Sequence, residues 1–324
     1  MSAPQAIGID VGGTKILAVR ASATGEVLAT VRRDTPQGSV DQLVGVLTEL
    51  VTTLREDGVG VVGIGLPGMV NAETGALTYA PGLGFSAAPL RALVAAQVGL
   101  PVVTDNDANV AAWAEYRLGA GAGVDNLVLV TLGTGLGCGM IVDGHVFRGR
   151  HGHAAEVSHL ILDPDGPPCE CGKDGCWGVV ATGANISRLG RAAALAHPMS
   201  AIAVLQAEGL AAGEAVTAAA QRDDANAMAI LSYVGDMLGR GLASLANMLD
   251  PSMMIVGGGP VAAGDLLLDP TRKSFARWFY AADRRPPVPV VMARFGVTAG
   301  AIGAAVLAMD TVGWLAKPAG ARDP

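Results

Sequence analysis

Basic charge, cysteine and long apolar runs are all scarce in this chain of 324 residues. Lys and Arg number 22 against 29 Asp and Glu, a net charge of −7. A phosphate backbone needs a basic surface, so nucleic acid is excluded as a general partner, while a small anion held by backbone amides is not. Four cysteines occur. One stands alone at Cys138 and three crowd between Cys169 and Cys176, which is no secreted disulfide framework and fits a reducing compartment. The uncharged stretch between Asp125 and Asp143 is broken by Gly133, Gly135, Gly137 and Gly139. No segment therefore offers the run of about 20 apolar residues that a membrane span requires. The first apolar run contains Asp10 and has no basic region before it, unlike a signal peptide. These absences lead to the expectation of a soluble cytoplasmic protein with no membrane partner.

What is present is ample apolar chain. Apolar residues make up 51% and charged residues 16%, which excludes a disordered chain, and the length suits two ordinary domains. The opening reads as strand, turn, strand, turn, strand: Ala6 to Val11, Gly12-Gly13-Thr14-Lys15, Ile16 to Arg20, Thr24-Gly25, Val27 to Val31. Leu43, Val44, Leu47, Leu50, Val51 and Leu54 share one helical face. A strand from Val59 to Ile64 runs into Gly65-Leu66-Pro67-Gly68. A helix over 89–98 and a strand over 101–104 follow, and the next helix starts near Ala108. The opening pattern then returns at Leu127 to Phe147, with Gly133-Thr134-Gly135 as its first turn. The repeat predicts two similar domains rather than a solenoid. An Ala-rich helical segment spans 185–249. Met253 to Val256 is read as a strand entering Gly257-Gly258-Gly259, Val288 to Ala293 as the last strand, and 299–309 as a small-residue helix with a frayed tail beyond Trp314. Strands alternating with helices give an α/β fold.

Four groups of residues carry chemistry. In Asp10-Val11-Gly12-Gly13-Thr14-Lys15 the glycines let amides crowd an anion, and hydroxyl and ammonium add donors. The spacing is not that of a P-loop, and no helix follows. An acid inside an apolar strand needs a partner such as hydrated Mg²⁺. The turn at Thr134 is the counterpart of this one, so the pair suggests two jaws closing on a polyphosphate, with Gly257, Gly258 and Gly259 as a third close approach. Asp105-Asn106-Asp107 lies between strand and helix, where one residue serves as an N-cap and a carboxylate suits a general base for a substrate hydroxyl. His159, Cys169, Cys171 and Cys176 offer three thiols and an imidazole, a donor set for structural tetrahedral zinc. His151 and His153 compete for the fourth place.

Taken together, DVGGTK, GLPG at Gly65 to Gly68, DNDANVAA, LGTGLGCG, AEVSH, CECGKDGC, DPSMMIVGGG and AGAIGAA resemble the ROK sugar kinases, most closely the glucokinase type, over nearly the whole chain. The resemblance implies a two-domain actin-like ATPase (ribonuclease H-like) fold with a cleft between domains. It implies transfer of the γ-phosphoryl of ATP to a hexose, commonly at the 6-hydroxyl. It further implies Asp107 as general base and Asn106, Glu156, His159 and Gly68 as sugar contacts. His159 would also hold zinc with Cys169, Cys171 and Cys176. Asp10, Gly12, Gly13, Thr14, Lys15 and Thr134 would surround phosphates and Mg²⁺, and Gly257, Gly258 and Gly259 would lie near the nucleoside.

The expected domains are 1–111 with 299–324, and 112–298 carrying a zinc module at 159–177. A homo-oligomer, dimer or tetramer, is expected. Glucokinase-type members usually carry Glu two residues after the last zinc cysteine, and this chain has Gly178. The missing side chain is expected to leave room for another gluco-configured hexose, such as 3-amino-3-deoxyglucose (kanosamine). An N-acylhexosamine or fructose kinase and a non-catalytic sugar sensor are the alternatives. The family's repressors carry an N-terminal helix-turn-helix. Here the phosphate hairpin begins within ten residues, and Asp107 is present, so an enzyme is expected.

Overall fold

The computed structural model describes residues 4–316. The tail read as frayed lies, beyond Ala316, outside the described residues. In chain order the first elements are β1 (Gln5–Val11), β2 (Lys15–Ser22), β3 (Val27–Asp34), α1 (Val40–Leu54), β4 (Val59–Leu66), β5 (Met69–Val70), β6 (Leu77–Ala80), β7 (Phe85–Ala88), α2 (Leu90–Val98), β8 (Val102–Asn106) and α3 (Asp107–Leu118). Then come β9 (Leu127–Leu132), β10 (Leu136–Val142), β11 (His145–Val146), α4 (Trp177–Val180), α5 (Gly183–Ala196), α6 (Ala201–Ala207), α7 (Ala212–Ala220) and α8 (Ala225–Leu249). The last are β12 (Met253–Gly258), α9 (Asp265–Trp278), β13 (Val290–Met292) and α10 (Ala299–Thr311).

Two five-stranded sheets repeat one order. The first runs β3-β2-β1-β4-β8 and the second β11-β10-β9-β12-β13. Each thus places its first strand between its second and fourth, as the repeated hairpin pattern in the sequence anticipates. A small sheet, β5-β6-β7, was not foreseen. The chain divides into two compact units. One comprises Met1–Leu129, Gly139–Ala155 and Ala293–Pro324, the other Val130–Cys138 and Glu156–Met292. The division expected at 111/112 would cut α3, whereas this uninterrupted helix belongs whole to the first unit.

In the first unit, α1 is nucleated by Ser39, whose side chain accepts from the Gln42 amide, and it buries the six apolar residues foreseen. Helix α10 is buried from Ala299 to Met309 and packs against β1, β4 and α3. Only small residues permit this. A Cβ at Gly8 or Gly63 would run into the α10 carbonyls of Ala301 or Ala304, and one at Gly303 into the carbonyl of Val110. In the second unit, α8 begins at the Asp224 cap and ends where Asp250 turns left-handed, φ 48°, ahead of Pro251. Helix α9 was missed because Pro270 sits inside it; its buried Leu267, Leu268, Thr271 and Phe275 nonetheless keep helical spacing. The last strand is shorter than foreseen, three residues from Val290 to Met292.

The glycine contacts give a paired expectation. Gly63→Ala forces backbone apart and should cost about 3 kcal/mol. Gly45→Ala, in the exposed face of α1 with nothing near its Cβ, should gain about 0.5–1 kcal/mol. Denaturant midpoints at constant slope measure both.

Candidate active site

Register builds the first unit's site. Parallel pairing sets Asp10 of β1 opposite Gly65 of β4 and Gly65 opposite Asp105 of β8. The carboxyl ends of three strands therefore meet in one row, where open α/β sheets bind ligands. A Cβ on Gly65 would meet Val110 Cγ2 at 2.8 Å and Asp107 Cα at 3.4 Å, with Asp10 Oδ1 at 3.7 Å. Gly65 thus lets β4 pass between the two acids. Gly300, at the start of α10, leaves the space that the Asp10 carboxyl occupies. Burial, and then the neighbouring Asp107, push the Asp10 carboxyl up to about 7. A divalent cation would relieve both effects, so the acids present fit Mg²⁺.

The Gly12–Lys15 turn closes with the Gly12 amide donating to the Lys15 carbonyl, 3.0 Å. Thr35 Oγ1 donates to the Gly12 carbonyl at 2.7 Å and Gln37 Nε2 to the Gly13 carbonyl at 2.8 Å. These two side chains, which the sequence reading missed, engage carbonyls of the turn while Gly13, Thr14 and Lys15 remain exposed.

The three residues of Asp105-Asn106-Asp107 separate by task. Asp105 is buried and holds Arg148 Nε at 2.8 Å and Nη2 at 2.7 Å, Asn109 Nδ2 at 2.9 Å and the Asn106 amide at 2.8 Å. It is a structural anchor whose oxygens are already engaged. Asn106 caps α3, its Oδ1 accepting from the amides of Ala108 and Asn109, and its Nδ2 donates to the Gly68 carbonyl at 3.0 Å. One amide hydrogen remains for a ligand. Gly68 has φ +83°, and a Cβ there would strike the Tyr79 carbonyl. Asp107 is the first residue of α3 and accepts from the Ala108 amide at 2.8 Å.

The second unit holds a cavity of about 590 Å³ lined by Gly133, Thr134, Gly183, Ala184, Gly259 and Pro260, with Leu210, Glu214 and Gln221 among the other walls. The size suits a small-molecule ligand. Gly183 and Ala184 open α5, so a helix N-terminus and the Thr134 turn share one wall, which favours an anionic group there. Gly258, φ +93°, lets β12 lie against the Leu132 carbonyl, and Gly257 precedes it in the strand. Helices α5 and α7 supply walls that no motif announced.

His159, Cys169, Cys171 and Cys176 bring their ligand atoms within 4.8 Å of one another. Cys171 Sγ lies 3.6 Å from Cys176 Sγ, and His159 Nδ1 3.8 Å from Cys169 Sγ. Zinc bonds of about 2.0–2.3 Å in a tetrahedron need edges near these lengths. The donor set fits zinc through Nδ1 of His159. His153 instead lies 3.4 Å from Thr78 in the first unit, and neither it nor His151 joins the cluster. Position 178, expected to be open, is filled: a Cβ there would collide with Ser158 Oγ.

Two sheets of identical order, each with its Gly/Thr turn, define the actin-like ATPase fold. The family model described as the ROK family matches residues 6–311, and the chain belongs to that family. It is 40% identical to a glucokinase of Streptomyces coelicolor over 310 residues, 94% of this chain and 97% of that one. A structure of a ROK family glucokinase from Streptomyces griseus in complex with glucose and AMPPNP superposes with a TM-score of 0.87 at 41% identity, covering 94% and 99% of the two chains. A xylose repressor of Caldicellulosiruptor bescii is 31% identical over 85% of this chain and 72% of its own length. No helix among the described residues is long and apolar enough to cross a membrane.

Two outcomes follow from the geometry. Asp10, protonated more readily when folded, favours the ligand-free fold below about pH 4, and that contribution is lost as pH rises through about 7. Asp10→Asn should therefore melt higher than the parent at pH 8 without Mg²⁺ while losing Mg²⁺-dependent turnover; an unchanged melt contradicts the assignment. Metal analysis should find one zinc per chain, and Cys171→Ser should lose it and melt lower.

Proposed function

We propose that this protein is an ATP-dependent hexose kinase that phosphorylates the 6-hydroxyl of a gluco-configured hexose, glucose or an amino-sugar analogue such as 3-amino-3-deoxyglucose. The observation that carries the reading is Asp107. It starts a helix at the carboxyl ends of parallel strands, beside a second acid suited to Mg²⁺. Its neighbour Asp105 is consumed by Arg148 and Asn109. The named glucokinases, and AMPPNP in one of them, support the same class.

In this reading Asp107 accepts the proton of the 6-hydroxyl as its oxygen bonds to the γ-phosphorus and the bond to the bridging oxygen breaks, releasing ADP. Little covalent work falls to the protein, so positioning and charge neutralisation dominate. Asn106, Gly68, Glu156 and His159 orient the sugar. The cavity beside Thr134 and Gly259 takes the nucleoside, with the start of α5 favouring its phosphates. Asp10 and the Gly12–Lys15 turn would hold Mg²⁺ and phosphate, the cation supplying charge neutralisation when bound. Cys169, Cys171, Cys176 and Nδ1 of His159 would hold zinc, which would fix that ring so that its other nitrogen could serve the sugar. A homo-oligomer, dimer or tetramer, belongs to the same proposal and is checked by sedimentation.

Asp107→Asn is nearly isosteric and should bind ATP and hexose as the parent does, with kcat lowered about 100- to 10,000-fold. Coupled ADP release across a hexose panel, with calorimetry for binding, tests this. A variant turning over near the parental rate would place the base elsewhere. A parent that binds a hexose but releases no ADP would be a sensor, the behaviour to be expected of a repressor-like relative.

A further inference from the structure

Ser158 and Gly178 belong to two segments that the backbone ties together. The Trp177 amide donates to the Leu160 carbonyl at 2.7 Å and the Leu162 amide to the Gly175 carbonyl at 3.0 Å. Cys176 Sγ also approaches the His159 carbonyl at 3.9 Å. Ser158 is the middle residue of the single 3-10 turn Val157–His159, whose last residue is a zinc-cluster ligand and whose cap is Glu156. Its Oγ fills the volume above the Gly178 Cα, and its own carbonyl and Cβ stand 3.2 and 3.3 Å from where a Cβ on residue 178 would be. Gly178 has ordinary backbone, inside α4, so its restriction is one of space and not of conformation. Both residues are partly exposed.

Three consequences follow. A side chain at 178 and the hydroxyl at 158 exclude one another. The polar atom presented at this point is a neutral hydroxyl, able both to donate and to accept, where a carboxylate could only accept. And the hydroxyl sits two residues after Glu156 and one before His159, in the stretch that the proposed function assigns to the sugar.

The geometry points to Ser158 as a specificity-determining residue that hydrogen-bonds the hexose through its hydroxyl, with Gly178 as the partner whose missing side chain makes room for it. This rests on the sugar-binding reading of Glu156 and His159. Ser158 tolerates either a donating or an accepting ring substituent, whereas a carboxylate in its place would select donors. The pair acts as one unit: changing residue 178 alone drives a side chain into Ser158.

Hexose binding by calorimetry and turnover across a panel, including glucose and 3-amino-3-deoxyglucose, test the pair in the full-length protein, with bound zinc and melting temperature read in parallel. Ser158→Ala should weaken the best hexose about five- to tenfold and leave KM for ATP and the zinc content unchanged. Ser158→Thr, which keeps the hydroxyl, should recover part of the loss. Gly178→Glu alone should weaken every hexose, while Ser158→Gly with Gly178→Glu should restore binding and alter the ranking of sugars, a non-additive cycle. Unchanged hexose affinities in Ser158→Ala, or additive effects in the cycle, would overturn the inference while leaving the kinase reading intact. Ser158-dependent hexose binding without ADP release would sustain it and remove the kinase reading instead.

Discussion

Backbone touching backbone, where α10 crosses β1 and β4, is the contact on which the first unit's site depends. Gly8, Gly63 and Gly303 remove the three Cβ atoms that would hold the helix away. The close approach brings the start of α10 to the end of β1, and there Gly300 leaves space for the carboxyl of Asp10. A helix N-terminus beside an acid would ordinarily favour its charged form. Burial and Asp107 act the other way, and their balance leaves the group near neutrality rather than fully ionised. An acid so placed weakens the ligand-free fold at neutral pH and is relieved when a cation arrives. Relief of that penalty would add to the affinity for a cation bound there.

The second unit solves a different problem. Between Leu160 and Gly175 the chain has few apolar anchors; Leu160 and Ile161 are exposed, and the segment is rich in Asp, Gly and Pro. At its far end Trp177 is completely buried, donates through its indole N–H to the Met237 carbonyl at 3.1 Å, and packs where Gly241 of α8 has no side chain. One end of the module is thus fixed by hydrophobic burial, and the other, at His159, lies beside the cysteine cluster. Burial pushes the Cys176 thiol up to about 12, whereas hydrogen bonding, first from the Lys173 backbone, lowers Cys171 to about 7. A metal that binds thiolates overrides the first and exploits the second. Zinc in such a place would order a turn more than support the core.

How much of this could be read from the residues depends on the range of the forces involved. Local signals sufficed for the paired hairpins, the apolar face of α1 and the cysteine cluster, because spacing along the chain carries them. Helix α9 was legible in its buried positions but hidden by Pro270, since a proline signal outweighs a short apolar stripe. Sheet β5-β6-β7 has strands of two to four residues, too short for alternation to register. Thr35, Gln37 and Arg148 support the site from 20 to 45 residues away, and nothing in their own surroundings marks them. Ser158 is a further case, because the space it fills is left by a glycine twenty positions on.

Asp105 and Asp107 show why proximity in sequence says little about role. Both lie at the junction of β8 and α3, one residue either side of the capping Asn106. Asp105 still belongs to the strand, its carboxylate meeting the guanidinium of Arg148 and the amide of Asn109. Asp107 is already helical, and the change of backbone direction at Asn106 turns it toward Asp10. An acid whose Oδ2 takes two guanidinium N–H groups and whose Oδ1 takes an amide has its oxygens engaged and is held in place. An acid facing another acid is one whose protonation relieves repulsion. The same side chain, two residues apart, is thereby a brace on one side of the helix cap and, in the kinase proposal, the proton acceptor on the other, and the cap itself, by fixing where strand becomes helix, separates the two.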